Sequence, residues 1–139
     1  WINPDCPFVK RHAAAGTMRD LATRYAGKGV VWLGVNSTHS MDAAGSAAYR
    51  KGGSLPYPIL VDRSGEVGHA YGAKTTPHMY VVDREGVLVY AGAIDDDPRG
   101  EKGKAASNYV AAALDELLAG KPVTVANTTP YGCSVKYAK

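Results

Sequence analysis

Cysteine is scarce in this chain: there are two in 139 residues, at positions 6 and 133. No C-x-x-C pair exists, which excludes a zinc ribbon or knuckle. Long apolar runs are missing too, and none approaches the ~18 residues that span a bilayer. Lys and Arg (16) barely outnumber Asp and Glu (13), giving a formal net charge of +3. The basic residues are scattered, with no stripe interleaved with aromatics, so nucleic acid is not an expected partner. Gly100 and Gly103 lack the G-K-[ST] ending of a phosphate loop. There is no repeat and no low-complexity segment. What is present is an ordinary globular mix, 45% hydrophobic and 21% charged, in a length that suits one domain.

The chain alternates helical and extended patterns. Residues 7–27 read as a helix: Pro7 suits the first helical position, and Met18, Leu21, Ala22 and Tyr25 form an i, i+3, i+4, i+7 stripe. Residues 30–35 (VVWLGV) read as a strand buried on both faces, as in a parallel sheet. An Ala-rich helix over 42–51, a short apolar run at 58–62 and a short helix over 66–71 follow. Residues 78–83 and 87–91 flank a turn at Arg84-Glu85-Gly86 and predict a β-hairpin. Residues 95–104 read as a polar loop, and 105–119 as the clearest helix, with Val110, Leu114, Leu117 and Leu118 on one face. This order predicts an α/β layer with a largely parallel sheet. The domain is placed at 1–120. Residues 121–139 are expected to be a tail that packs back on it, through Val123, Val125, Tyr131, Val135 and Tyr137.

Cys6 stands just before Pro7, at the N-cap of the first helix. A helix N-terminus favours the thiolate, the reactive form of cysteine. Lys10 and Arg11 add positive charge within about a turn, and Asp5 opposes them. The alternative is an inert cysteine packed as a small hydrophobe. Trp1 either shields Cys6 or belongs to the core. His78 either faces Cys6 or is an ordinary sheet residue, while His12 lies off the apolar stripe and reads as solvated. Asp95-Asp96-Asp97 reads as a solvated loop, since no ligand spacing points to a cation. The Asn36-Ser-Thr38 and Asn127-Thr-Thr129 sequons are weak matches to a glycosylation site.

Residues 1–10 (WINPDCPFVK) and 71–86 (YGAKTTPHMYVVDREG) together carry a family resemblance. The chain resembles thioredoxin-like redoxins of the alkyl hydroperoxide reductase/thiol-specific antioxidant family, over nearly its whole length to Gly120. Two departures stand out: Val9 occupies the resolving position of a C-x-x-C motif, and Asn3 stands where typical peroxiredoxins carry Thr or Ser. The resemblance implies an α/β, thioredoxin-like fold, with a central mixed sheet flanked by helices, in which a cis Thr76-Pro77 bond faces Cys6 and Thr76 offers its backbone to a substrate. It also implies a strand before the Cys helix, of which only Trp1-Ile2-Asn3 remain. Residues upstream of Trp1, or another chain, are therefore expected to complete the sheet.

The function implied is that of a thiol-based oxidoreductase, a disulfide reductase or a thiol-dependent peroxidase. Cys6 is its nucleophile, and Cys133 is the one thiol available for resolution within the chain. Cys133 lies 13 residues beyond Gly120, a reach of roughly 40 Å. Trp1, Pro7, Thr76, Pro77 and His78 are the candidate substrate-binding residues. Partners would be a peroxide or disulfide substrate and an external thiol reductant, with no cofactor and no resident metal. Relatives of this kind are often exported, which leans toward a periplasmic or secreted site. Two other readings stay open. One is a soft-metal module of the same fold, holding Cu(I) on Cys6, His78 and either Cys133 or His12. The other is a non-catalytic thioredoxin-like binding domain.

Overall fold

The computed structural model describes all residues, Trp1–Lys139. They form two compact units. The first is Trp1–Thr76 together with Gly132–Lys139, and the second is Pro77–Tyr131. Residues 121–139, expected as one tail, are thus shared between the two units.

The first unit opens with α1 (Pro7–Ala14) and α2 (Thr17–Ala26), not with one helix over 7–27. Gly16 divides them. Its φ of 72° lies in the left-handed region, where glycine carries little steric cost. Its N–H closes α1 on Ala13 O and its carbonyl opens α2 by accepting from Asp20 N. The break redirects the apolar stripe. Leu21, Ala22 and Tyr25 are buried as expected, but so is His12, whose Nδ1 lies 3.3 Å from Thr17 Oγ1. The solvated His12 expected from a continuous helical stripe is therefore corrected.

β1 (Gly34–Asn36) and β2 (Ile59–Val61) pair in parallel, Val35 opposite Leu60. Between them runs α3 (Ala43–Gly52), capped by Asp42, whose side chain accepts from Gly45 N at 2.8 Å. The strand is shorter than the apolar run 30–35, and that run is not buried on both faces. Val31 is 81% exposed, and Leu33, Leu60 and Val61 are exposed as well. The ladder holds two strands only, and Val31 and Leu33 precede it. α4 (Glu66–Ala70) follows, then β3 (Thr75–Thr76). β3 pairs antiparallel with β6 (Cys133–Ser134), the C-terminal strand.

In the second unit, β4 (Met79–Val82) and β5 (Leu88–Gly92) form the expected hairpin. The Asp83 carboxylate accepts from the Glu85 and Val87 amides, which closes the turn. The last helix, α5 (Tyr109–Leu118), starts later than the composition of 105–119 indicates. Asn108 caps it by accepting from Ala111 N at 2.8 Å, and residues 103–105 form only a single 3-10 turn. Val110 and Leu114 are buried, whereas Leu118 is exposed. Residues 126–128 run beside β5, with Ala91 N donating to Ala126 O and Thr128 N to Ala91 O. Val125 is exposed rather than packed.

The acidic run is no solvated loop: Asp95 and Asp97 are buried. Asp97 accepts from the amides of Glu101, Lys102 and Gly103, and Asp95 accepts from Tyr131. These aspartates organise the loop before α5, because a carboxylate satisfies several amides at once.

The strands join in three separate pairs, not in one central mixed sheet. Residues 1–6 form no strand. Ile2 N donates to Val35 O of β1.

Candidate active site

Asn3 shapes the approach to α1. Its carbonyl accepts from Cys6 N and its side-chain oxygen from Asp5 N, both at 3.0 Å. This turn places Cys6 in extended backbone at the N-cap, with Pro7, exposed, at the first helical position. The Cys6 carbonyl then accepts the first helical bond, from Lys10 N at 2.9 Å. Asn3 was read from sequence only as a departure from a motif, yet it is buried and sets the position of the thiol. An Asn two residues before Asp5 in a short turn was the signal.

Cys6 is buried, 2% exposed, and its thiol donates to Thr76 O at 3.0 Å. Thr76 stands opposite Cys133 in the β3–β6 ladder, and its hydroxyl reaches toward Cys133 O at 3.5 Å. Three residues far apart in sequence, Cys6, Thr76 and Cys133, thus meet within the first unit. Both cysteines are free thiols. Gly132 delivers Cys133 with a φ of 148°, a region that other residues seldom occupy.

The two thiols are driven in opposite directions. Burial pushes Cys6 up, but hydrogen bonds from the Cys133 and Thr76 side chains and the amides of Val9 and Cys133 outweigh it, and the net shift is downward. The Val9 amide belongs to the N-terminus of α1, whose field also favours negative charge on the sulfur. Cys133 moves upward, through its hydrogen bond to Cys6, then burial, then the Cys6 charge, with Lys136 opposing. Of the two thiols, Cys6 is therefore the one that loses its proton first as pH rises. Of the cations expected to act on Cys6, Lys10 is exposed and Arg11 lies over the Phe8 ring at 5.6 Å.

Trp1 is buried; its Nε1 donates to Ser37 Oγ at 2.8 Å, and its ring lies 5.2 Å from that of Tyr71. Ser37 in turn donates to Asp62 Oδ2 at 2.7 Å, and Asp62 accepts from Gly68 N at 2.9 Å and Val67 N at 3.3 Å. Asp62 was missed because a lone Asp after a strand carries no pattern. Burial raises its carboxyl, but the bonds from Ser37, Gly68 and Val67 hold it below the usual carboxylate range. Asp62→Ala would strand those donors and is expected to lower stability by about 2 kcal/mol. Because the folded value is depressed, this contribution is fully present above the ordinary carboxylate pKa and is lost as pH falls through the lower folded value. Urea midpoints followed from pH 6 to pH 2.5 check this. The wild type should lose stability in the acid range, by an amount that is missing in Asp62→Ala.

Pro77 and His78 belong to the second unit. His78 is buried there, with Nδ1 3.0 Å from the Tyr80 hydroxyl. No group of three or more His, Cys, Asp or Glu side chains is disposed to hold a metal ion. No helix is long and apolar enough to cross a membrane.

The sequence matches the AhpC/TSA family over residues 1–91. The chain belongs to that family. Family membership makes the fold thioredoxin-like and the general function thiol-dependent redox chemistry. Two solved structures are similar over nearly all of the chain. One is a hypothetical protein of Sinorhizobium meliloti 1021, 34% identical with a TM-score of 0.87, covering 99% of this chain and 76% of that one. The other is an uncharacterized conserved protein of Geobacillus kaustophilus, 33% identical with a TM-score of 0.87, covering 99% and 74%. No curated protein matches.

Proposed function

We propose that this AhpC/TSA protein is a dithiol oxidoreductase in which Cys6 takes the oxidant and Cys133 resolves it. The supporting observation is geometric: the buried Cys6 thiol bonds to Thr76 O, and Thr76 stands opposite Cys133 in the β3–β6 ladder; the downward shift of Cys6 and the upward shift of Cys133 agree with it. A thiolate is the nucleophile in both reactions open to it. With a hydroperoxide, the Cys6 sulfur attacks the distal oxygen. The O–O bond breaks, Cys6 becomes a sulfenic acid and an alcohol or water leaves. Cys133 then attacks that sulfur, a Cys6–Cys133 disulfide forms and water leaves. With a disulfide substrate, Cys6 displaces one substrate thiolate. Cys133 then loses its proton and displaces the other. In both cases the two electrons come from the two thiols, and an external dithiol restores them. In the protonated state the Cys6 thiol donates to Thr76 O, which holds the sulfur at this position until the proton leaves.

Single-turnover oxidation of the reduced protein tests this, using one equivalent of hydrogen peroxide or of a peptide disulfide, with intact mass as readout. The expected product is the same for both oxidants: loss of two hydrogens, mapped to a Cys6–Cys133 link. Iodoacetamide labelling of Cys6 should titrate below the ordinary thiol value of about 8.5. A Cys6 that labels only above that value, or that stays unmodified by both oxidants, would overturn the proposal.

A further inference from the structure

Cys133 comes from a two-residue strand, and so short a ladder is weak by itself. What holds it lies just beyond. Val135 N donates to Lys74 O at 3.1 Å, and Lys136 O accepts from His39 N at 2.9 Å. Tyr137 closes the segment: its hydroxyl donates to Ala73 O at 2.8 Å, and its ring stacks on His69 with centroids 4.0 Å apart. Lys136 itself is exposed, so Tyr137 is the aromatic anchor of the segment.

The anchor sits in a slot left open by two glycines. A Cβ on Gly65 would lie 2.6 Å from Tyr137 Cδ1. A Cβ on Gly68 would lie 2.5 Å from the Tyr137 hydroxyl oxygen and 2.8 Å from Ser37 Oγ. Gly65 also needs its φ of 77°, but Gly68 has no such need. It lies inside α4, where glycine costs about 1 kcal/mol relative to alanine. Space for the Tyr137 ring is the physical reason for a glycine there. Tyr137 lies four positions after Cys133, about 13 Å of extended chain, and that span is bonded at 135, 136 and 137.

We infer that Tyr137 is a positioning residue: seated in the Gly65–Gly68 slot, it holds the C-terminal strap so that the Cys133 thiol stays on Cys6. This rests on the two-thiol reading above. The strap makes Cys133 a fixed neighbour of Cys6, so closing the disulfide needs no search by a loose tail. The step it serves is the condensation already written, Cys6 sulfenic acid plus Cys133 thiol giving a disulfide plus water.

The test compares wild type with Tyr137→Ala, Tyr137→Phe and Gly68→Ala, the last evicting the ring from the opposite side. Two quantities are read under native conditions. One is the rate of disulfide closure after Cys6 has reacted with hydrogen peroxide. The other is the equilibrium of the Cys6–Cys133 disulfide against reduced and oxidised glutathione. Tyr137→Ala and Gly68→Ala should slow closure and weaken the disulfide by about tenfold or more, because the effective concentration of Cys133 falls. The bimolecular reaction of Cys6 should slow far less than closure, because Thr76 and the Val9 amide still lower its pKa when Cys133 withdraws. Tyr137→Phe keeps the stack and loses one hydrogen bond, so it should fall between the wild type and Tyr137→Ala. It also carries the test if Tyr137→Ala does not fold. Loss of denaturant resistance alone, with closure rate and glutathione equilibrium unchanged, would assign Tyr137 a merely structural role and overturn the inference. A wild type that forms no Cys6–Cys133 disulfide would instead overturn the two-thiol reading on which the inference rests.

Discussion

Replacing Cys133 by Ser is expected to leave the first oxidation of Cys6 nearly intact and to stop turnover. Ser keeps a hydroxyl in place of the thiol that donates to Cys6, so part of what lowers the Cys6 pKa survives. Thr76 and the amides of Val9 and Cys133 supply the rest. The second-order rate with peroxide should therefore change by no more than about threefold, less than one pKa unit would produce. Resolution is different, because an oxygen cannot form the disulfide. A neighbour held in reach competes with millimolar external thiol at an effective concentration that can exceed molar by orders of magnitude. Steady-state turnover with a thiol reductant should fall by about 100-fold or more on that ground. Mass spectrometry should find Cys6 as a sulfenic acid, or as a mixed disulfide when a peptide disulfide is the oxidant. Excess peroxide should then drive it to the sulfinic acid faster than in wild type. Unchanged turnover would mean that Cys6 works alone with an external thiol.

Much of the fold was legible because its signals are local. The hairpin was announced by two apolar runs about a Gly-containing turn, and Asp83 supplies the bonds that such a turn needs. The Cys6 N-cap followed from Pro7. Illegible features depend on contacts between distant segments. Gly16 splits the first helix, and only the packing of α1 on α2 shows why His12 is then buried. Asp62, Asp95 and Asp97 look like surface residues in sequence, yet each is buried by the donors it collects. The redox candidates show the same division. Cys6 and Thr76 sit in recognisable motifs, whereas the register that sets Cys133 opposite Thr76 depends on a two-residue strand with no pattern of its own. Tyr137 was expected only to pack. Its partners, Gly65 and Gly68, are residues whose lack of a side chain is the relevant feature.

Gly92→Ala is expected to lower stability by about 3 kcal/mol, in the range of strained overpacking. Gly92 ends β5 with a φ of 153°, a backbone conformation that alanine rarely adopts. A Cβ there would collide with Thr128 Oγ1 and would lie 2.5 Å from Thr128 O and 2.8 Å from Thr128 N. Two of these three atoms are backbone, so rotating a side chain cannot relieve the contact. The segment would have to withdraw. That would break the bonds of Ala91 with Ala126 and Thr128. It would also pull Thr128 from a buried cluster in which its hydroxyl accepts from Ala93 N at 2.9 Å and meets the Tyr90 hydroxyl at 2.6 Å. Tyr90 is fully buried and donates to Ala93 O at 2.5 Å, so the disturbance reaches the core of this unit. For a chain of this length the loss corresponds to a melting temperature lower by about 10 °C. Urea denaturation of Gly92→Ala, Thr128→Ala and the double variant checks the origin of the effect. Thr128→Ala removes the hydroxyl but neither backbone atom, so the double variant should recover little of the loss. Full recovery would trace the strain to the hydroxyl alone. A Gly92→Ala protein within about 0.5 kcal/mol of wild type, the scatter of ordinary surface substitutions, would show that residues 126–128 yield freely and do not brace β5.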